Sequence, residues 1–344
     1  MGDGLSDATT VAADLLAWSG LPAPGRPIFV GGSSRSGTTL LGAMLGVGPD
    51  RLTVPEAEFK WQLFRTSAIR PNASGEGHVV DVAAARDYLA TDRMFRLWGV
   101  QIPADAPSQV DFPSFMAYLV AVFGQPAGKS GTEVWVDHTP VNIRFAQTLI
   151  DAFPDARFVH IIRDGRAVAA SVLPLDWGPN DAAESALHWS TQVAAGLAAA
   201  ARWGPEVVHT VHYEDLVQDP AGVLAGICAF AGLDFDESMV ERRDYRLRGY
   251  ELGQQDLVVQ PPDPSRIDAW RSQLRPAQIR DFERVTGELL AYLGYDLVFG
   301  ARAGRPTKLE HAWTRTVSTT RRVAVNKLSF RRRQQKADVD AASS

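Results

Sequence analysis

The segment FVGGSSRSGTTLLGAML, residues 29–45, holds the first residues whose types and spacing could do chemistry. Gly32 and Gly37 have the spacing of loops that wrap backbone N–H groups around a phosphate, and the apolar run after them reads as a helix whose dipole adds to the cradle. Ser36, Thr38 and Thr39 supply hydroxyl donors. Thr38, however, occupies the place where a triphosphate-binding loop carries the lysine that reaches the β- and γ-phosphates. The cation has moved into the loop as Arg35, an arrangement suited to a smaller anion held close to the backbone.

A second stretch, RFVHIIRDGRAVAASVL at 157–173, repeats the theme. Arg163 ends a buried apolar run, and an ionised group in that position must be paired or face a cleft. Ser171 follows about two helical turns later. A guanidinium and a hydroxyl so placed could clamp a second phosphate-type group. The competing reading is a structural ion pair between Arg163 and Asp164. A third chemistry is open at VWVD, where Asp137 could hold magnesium if the chain were a kinase.

The elements that must position these residues recur as a short β-branched run, a turn and an amphipathic helix. Strands are expected at PIFVG (27–31), EVWVD (133–137), RFVHIIR (157–163) and EVVHTVHY (206–213). Thr139 and Pro140 read as the N-cap and first residue of a helix after the second of these. Ala186, Trp189, Val193, Leu197 and Ala200 mark a helix over 183–203. Apolar strands separated by helices predict an α/β protein of three layers, a parallel sheet covered on both faces, with ligands beyond the carboxyl ends of the strands.

Both phosphate-type segments, in this order, give the chain a resemblance to the sulfotransferases that use 3′-phosphoadenosine 5′-phosphosulfate (PAPS). The detail looks most like the tyrosylprotein branch and its bacterial relatives. The segments that carry it are GG..RSGTTL..AML...PD, FPDARFVHIIRDGRA, HYEDLVQDP (212–220) and RIDAWRSQL (266–274). The resemblance implies a P-loop-type fold and metal-independent transfer of a sulfonate to a hydroxyl. It implies that Arg35, Ser36, Gly37, Thr38 and Thr39 hold the 5′-phosphosulfate, that Arg163 and Ser171 hold the 3′-phosphate, and that Tyr213 belongs to the donor site. It also points to Glu56 as the catalytic base, with Glu58 as competitor and Lys60 able to pair with either. One departure stands out. Relatives commonly carry Lys before TP or DP after the second strand, and this chain has His138, which could be the leaving-group acid, the base or a structural residue.

Residues 60–130 break the strand–helix rhythm and read as a helical insertion without a convincing strand, a place for an acceptor pocket. The expected organisation is an N-terminal extension (1–25), a catalytic domain (26–300) and a basic tail (301–344). The tail has 11 Lys/Arg against 3 Asp/Glu, a balance of +8 within a total of −5, which leaves −13 on the first 300 residues. It reads as a disordered extension or as a helix able to contact a membrane surface. A single cysteine, Cys228, excludes a disulfide framework and a cysteine-ligated zinc site. No stretch approaches about 18 consecutive apolar residues. These features suggest a cytoplasmic, bacterial protein acting on a small molecule or glycan, not on nucleic acid.

Overall fold

The computed structural model describes residues 18, 25–75, 77–129, 133–242 and 260–304. The tail expectations, among them a helix with Leu309, Trp313, Val317, Ala324 and Leu328 roughly on one side as the sequence spacing allows, and nearly all of the N-terminal extension lie outside the described residues.

The described residues form eight strands: β1 (Arg26–Gly32), β2 (Arg51–Val54), β3 (Ile69–Pro71), β4 (His78–Asp81), β5 (Gln109–Asp111), β6 (Val134–Asp137), β7 (Arg157–Ile162) and β8 (Val208–His212). Five of them form a parallel sheet in the order β2-β6-β1-β7-β8. Its side chains alternate as a period of two requires. Phe29, Trp135 and Phe158 face the 60–130 segment and pack with Phe112, Phe115 and Phe153. Ile28, Val30, Val136, Val159 and Ile161 face the opposite side, where helices Thr38–Leu45 and Pro220–Ala231 cover them. The four expected strands are found with ends shifted by one or two residues.

Three expectations need correction. The 60–130 segment is not purely helical, because β3, β4 and β5 form a small antiparallel sheet beneath the helix Phe112–Gly124. These strands are only three or four residues long and rich in polar side chains, too short for periodicity to show. Strand β2 was missed for the same reason: Arg51 and Thr53 interrupt it, although Arg51 is buried with Nη2 donating to the Asp234 carbonyl at 2.6 Å. Thr139 does stand at the N-cap before Pro140, but its side chain caps nothing there, and the element it opens, Pro140–Phe145, is a 3-10 turn.

Helix Ala182–Trp203 crosses the sheet over β7 and seats Gly196 on His160. A Cβ at Gly196 would fall 2.2 Å from the imidazole, so only glycine permits this approach. His160 is wholly buried, and neither ring nitrogen has a hydrogen-bond partner among the described residues. Burial, and then the neighbouring His212, lower its pKa to about 4. An unfolded chain therefore takes up a proton here between about pH 6.5 and 4 that the folded chain refuses, so stability falls as pH drops through that window. Urea midpoints should show a loss of about 2 kcal/mol between pH 7 and pH 5 that is missing in His160→Leu. An equal loss in that variant would assign the acid sensitivity elsewhere.

Candidate active site

The carboxyl ends of β1, β6 and β7 bring the candidate residues together. After β1 the chain turns tightly, with Ser36 N donating to the Ser33 carbonyl at 3.1 Å. Arg35 has φ 70° and Gly37 φ 97°, both left-handed, before the helix Thr38–Leu45 begins without a side-chain cap. A Cβ on Gly37 would also stand 2.7 Å from the Tyr213 ring. Left-handed turns of this kind gather consecutive N–H groups into a concavity for an anion. The hydroxyls of Ser33 and Ser36 are buried and lack a hydrogen-bond partner among the described residues. Thr38 and Thr39 are buried beside them.

Arg35 Nε donates to Ser171 Oγ at 3.1 Å, and Arg163 Nη1 donates to the Arg35 carbonyl at 3.0 Å. The Arg163 guanidinium lies 4.2 Å over the Tyr213 ring. The two expected anion sites thus form one continuous cradle. Burial, followed by the adjacent Arg163 charge, pulls the Arg35 guanidinium below its ordinary pKa, and Glu56 opposes the shift. Arg35 still stays protonated at any physiological pH.

The competing Arg163–Asp164 ion pair is not formed. Asp164 instead caps the helix Gly165–Val172 through the Arg166 N–H and binds the Arg166 guanidinium through both oxygens. Arg166, itself buried, also pairs with Glu283 at 2.7 Å and stacks on Trp270 at 4.1 Å. Trp270 gives the weak RIDAWRSQL motif a structural meaning.

The peptide unit joining Arg163 to Asp164 is pinned at both ends. Trp189 Nε1 donates to the Arg163 carbonyl at 3.0 Å, and the Asp164 N–H donates to Glu214 Oε1 at 2.9 Å. Tyr295 donates to the other Glu214 oxygen at 3.1 Å, and His212 Nδ1 lies 3.2 Å from the same hydroxyl. Burial raises the Glu214 carboxyl pKa, though the hydrogen bonds it accepts oppose this. Glu214 and Tyr295 were not among the sequence candidates. The only available signal was the glutamate within HYEDL.

On the β6 side, Glu56 Oε1 lies 4.0 Å from His138 Nδ1, with His138 buried and Glu56 partly exposed. Lys60 pairs with neither Glu56 nor Glu58. Its Nζ meets Asp137 Oδ2 at 2.6 Å, both side chains fully buried. Asp137 also accepts from the Thr139 amide and hydroxyl, while Thr139 Oγ1 accepts from Ala57 N at 2.7 Å. Burial alone would raise the Asp137 carboxyl, but Lys60 and Thr139 hold it below the usual carboxylate range. Lys60, Asp137 and Thr139 therefore fasten the Glu56–Ala57 turn to the end of β6. Asp137 is engaged in this clamp by Lys60 and Thr139, which does not favour the kinase reading.

A family model described as Sulfotransferase family matches residues 27–237, which include the whole cradle and the clamp. The chain belongs to this sulfotransferase family. Among its relatives, the protein-tyrosine sulfotransferase of Drosophila melanogaster is 22% identical over 78% of this chain, and protein-tyrosine sulfotransferase 2 of Gallus gallus 24% over the same share. Nodulation protein NoeE of Sinorhizobium fredii is 26% identical, again over 78%. The chain spans 51% of the fly protein, 69% of the chicken protein and 65% of NoeE. The sulfotransferase domain of the Synechococcus PCC 7002 olefin synthase superposes with a TM-score of 0.55 at 23% identity, covering 80% of this chain and 97% of that domain. It shares the three-layer α/β fold, with parallel sheet and flanking helices, that this sulfotransferase shows.

Proposed function

We propose that this sulfotransferase moves a sulfonate group from PAPS to a hydroxyl of a small molecule or glycan, in line and without a metal ion. The observation that carries the proposal is the convergence of Arg35, Arg163 and Ser171 on one cradle, with Glu56 and His138 facing each other beyond the ends of β2 and β6. The residues present fit such a donor. Buried Ser33 and Ser36 hydroxyls lack partners among the described residues, the amide turn is left-handed, and a guanidinium is stacked on Tyr213. When bound, the donor supplies the sulfonyl group and a bisphosphorylated nucleoside as leaving group.

Each residue then has a task. The Ser36–Thr39 amides and hydroxyls hold the 5′-phosphate end, while Arg163 and Ser171 hold the 3′-phosphate. Glu56 takes the proton of the acceptor hydroxyl as its oxygen bonds to sulfur. Arg35 neutralises the charge that reaches the phosphate oxygen as the sulfur–oxygen bond breaks. His138, whose Nδ1 lies 4.0 Å from Glu56 Oε1, orients the carboxylate. Metal independence is part of the proposal, since the carboxylate best placed to hold magnesium, Asp137, is engaged by Lys60. A cytoplasmic, bacterial setting and contact of tail 301–344 with anionic membranes belong to the same proposal, supported by the single cysteine and the +8 charge of the tail.

The test is incubation with PAPS, excess chelator and a library of hydroxylated acceptors, followed by mass spectrometry. The expected result is chelator-insensitive gain of the mass of SO3 on an acceptor. Turnover that requires ATP and magnesium would sink the reading.

A further inference from the structure

Strands β2 and β6 end beside the proton-handling residues, and the elements that follow them diverge. Helix Phe59–Phe64 follows Glu56, and the Pro140–Phe145 turn follows His138. Between them lies a cavity of about 330 Å³, lined by Glu58, Trp61 and Arg65 on one side and Val141, Arg144 and Phe145 on the other. Phe145 is 36% exposed, unusual for a large apolar ring, and stacks on Trp61 with centroids 4.1 Å apart and planes 20° apart. Beneath them, Lys60 Nζ lies 4.8 Å from the Trp61 ring while paired with Asp137. The stack is thus tied to the clamp that holds Glu56.

Charge narrows what the cavity could take. Arg65 and Arg144 are both exposed on its rim, and neither makes an ion pair among the described residues. Glu58 is the only acid in the lining, so one positive charge is unmatched. Planar guanidinium groups favour carboxylate, sulfate or phosphate through paired hydrogen bonds. An exposed aromatic wall favours a flat ring, which gains most from offset stacking. The volume lies at the low end of the roughly 300–1,000 Å³ range of small-molecule sites. It accommodates one or two rings and is small for an oligosaccharide.

We propose that this cavity is the acceptor subsite and that it takes a small hydroxylated arene carrying an anionic group. The ring lies against Phe145, the anion meets Arg65 and Arg144, and the hydroxyl is directed toward Glu56, two residues from the Glu58 wall. This rests on the sulfonate-transfer reading, and it narrows the acceptor from small molecule or glycan to an aromatic acid.

The full chain, saturated with adenosine 3′,5′-bisphosphate, would be titrated with 4-hydroxyphenylacetate and with tyramine, which share a phenol ring but carry opposite charges. The carboxylate probe is expected to bind about ten-fold or more tightly than the amine. The double variant Arg65→Ala/Arg144→Ala should bring the two to parity, and Phe145→Ala should weaken both. The affinity for adenosine 3′,5′-bisphosphate should be unchanged in every variant. Equal binding of the two probes, absence of saturable binding, or a preference that survives the double variant would overturn the subsite. So would binding confined to an acidic polypeptide. Failure of the bisphosphate to bind the wild type would instead overturn the donor assignment, and the same titrations without it would still decide the subsite.

Discussion

Arg35→Ala is expected to lower kcat by about 10²–10³-fold, the usual cost of removing one preorganised group that stabilises charge developing in a transition state. The residue sits where three demands meet. Its backbone makes the left-handed turn of the loop, its carbonyl accepts from Arg163, and its side chain reaches Ser171. Alanine keeps the carbonyl and has the same Cβ as arginine at φ 70°, so backbone strain is unchanged and the fold should survive. That separates chemistry from folding. Thermal unfolding should stay within a few degrees of the wild type, and Arg35→Gly should relieve left-handed strain of about 1 kcal/mol while losing the same activity. Arg35→Lys keeps a charge without the planar fork and should recover only part of the rate. A kcat within about five-fold of wild type in Arg35→Ala would remove transition-state stabilisation from this residue.

The fold was legible in the sequence wherever a single physical signal was long enough to repeat. β1, β6 and β7 are continuous apolar runs because both faces of the sheet are covered, and helix Ala182–Trp203 shows its buried face over six turns. β2 and the β3–β5 sheet were hidden because a strand of three or four residues with one or two polar side chains has no visible period. The cradle was legible because loop, arginine and helix start are contiguous. What stayed hidden is long-range partnership. Lys60 lies 77 residues from Asp137, and Tyr295 lies 81 from Glu214. Sequence proximity suggested Lys60 with Glu56 or Glu58 and Arg163 with Asp164, yet Lys60 pairs with Asp137 and Asp164 with Arg166, each in better geometry. A buried ion left alone costs about 3–5 kcal/mol, so the fold chooses pairs by enclosure rather than by neighbourhood along the chain.

Glu56→Gln is expected to lower kcat by about 10²–10⁴-fold, the range ascribed to general base catalysis, with affinity for adenosine 3′,5′-bisphosphate unchanged. The clamp explains why donor binding should be indifferent. Lys60, Asp137 and Thr139 hold the turn through Ala57 N and through each other, and the Glu56 side chain takes no part in those bonds. Glutamine is nearly isosteric and can still face His138 across 4.0 Å, so the loss reads out proton acceptance rather than shape. Glu58→Gln should leave kcat at saturating acceptor within about five-fold of wild type and change chiefly the acceptor KM, because Glu58 is exposed on the wall of the proposed acceptor subsite and not beside His138. His138 decides how the pair works. If it orients Glu56, then His138→Asn lowers kcat, and the double variant with Glu56→Gln is no worse than Glu56→Gln alone, since two residues acting as one unit are not additive. If His138 instead protonates the leaving oxygen, the two losses multiply and the loss in His138→Asn shrinks with a donor whose leaving group is a better anion. A fully multiplicative double variant would therefore overturn the orienting role, and an unchanged rate in Glu56→Gln would move the base to His138.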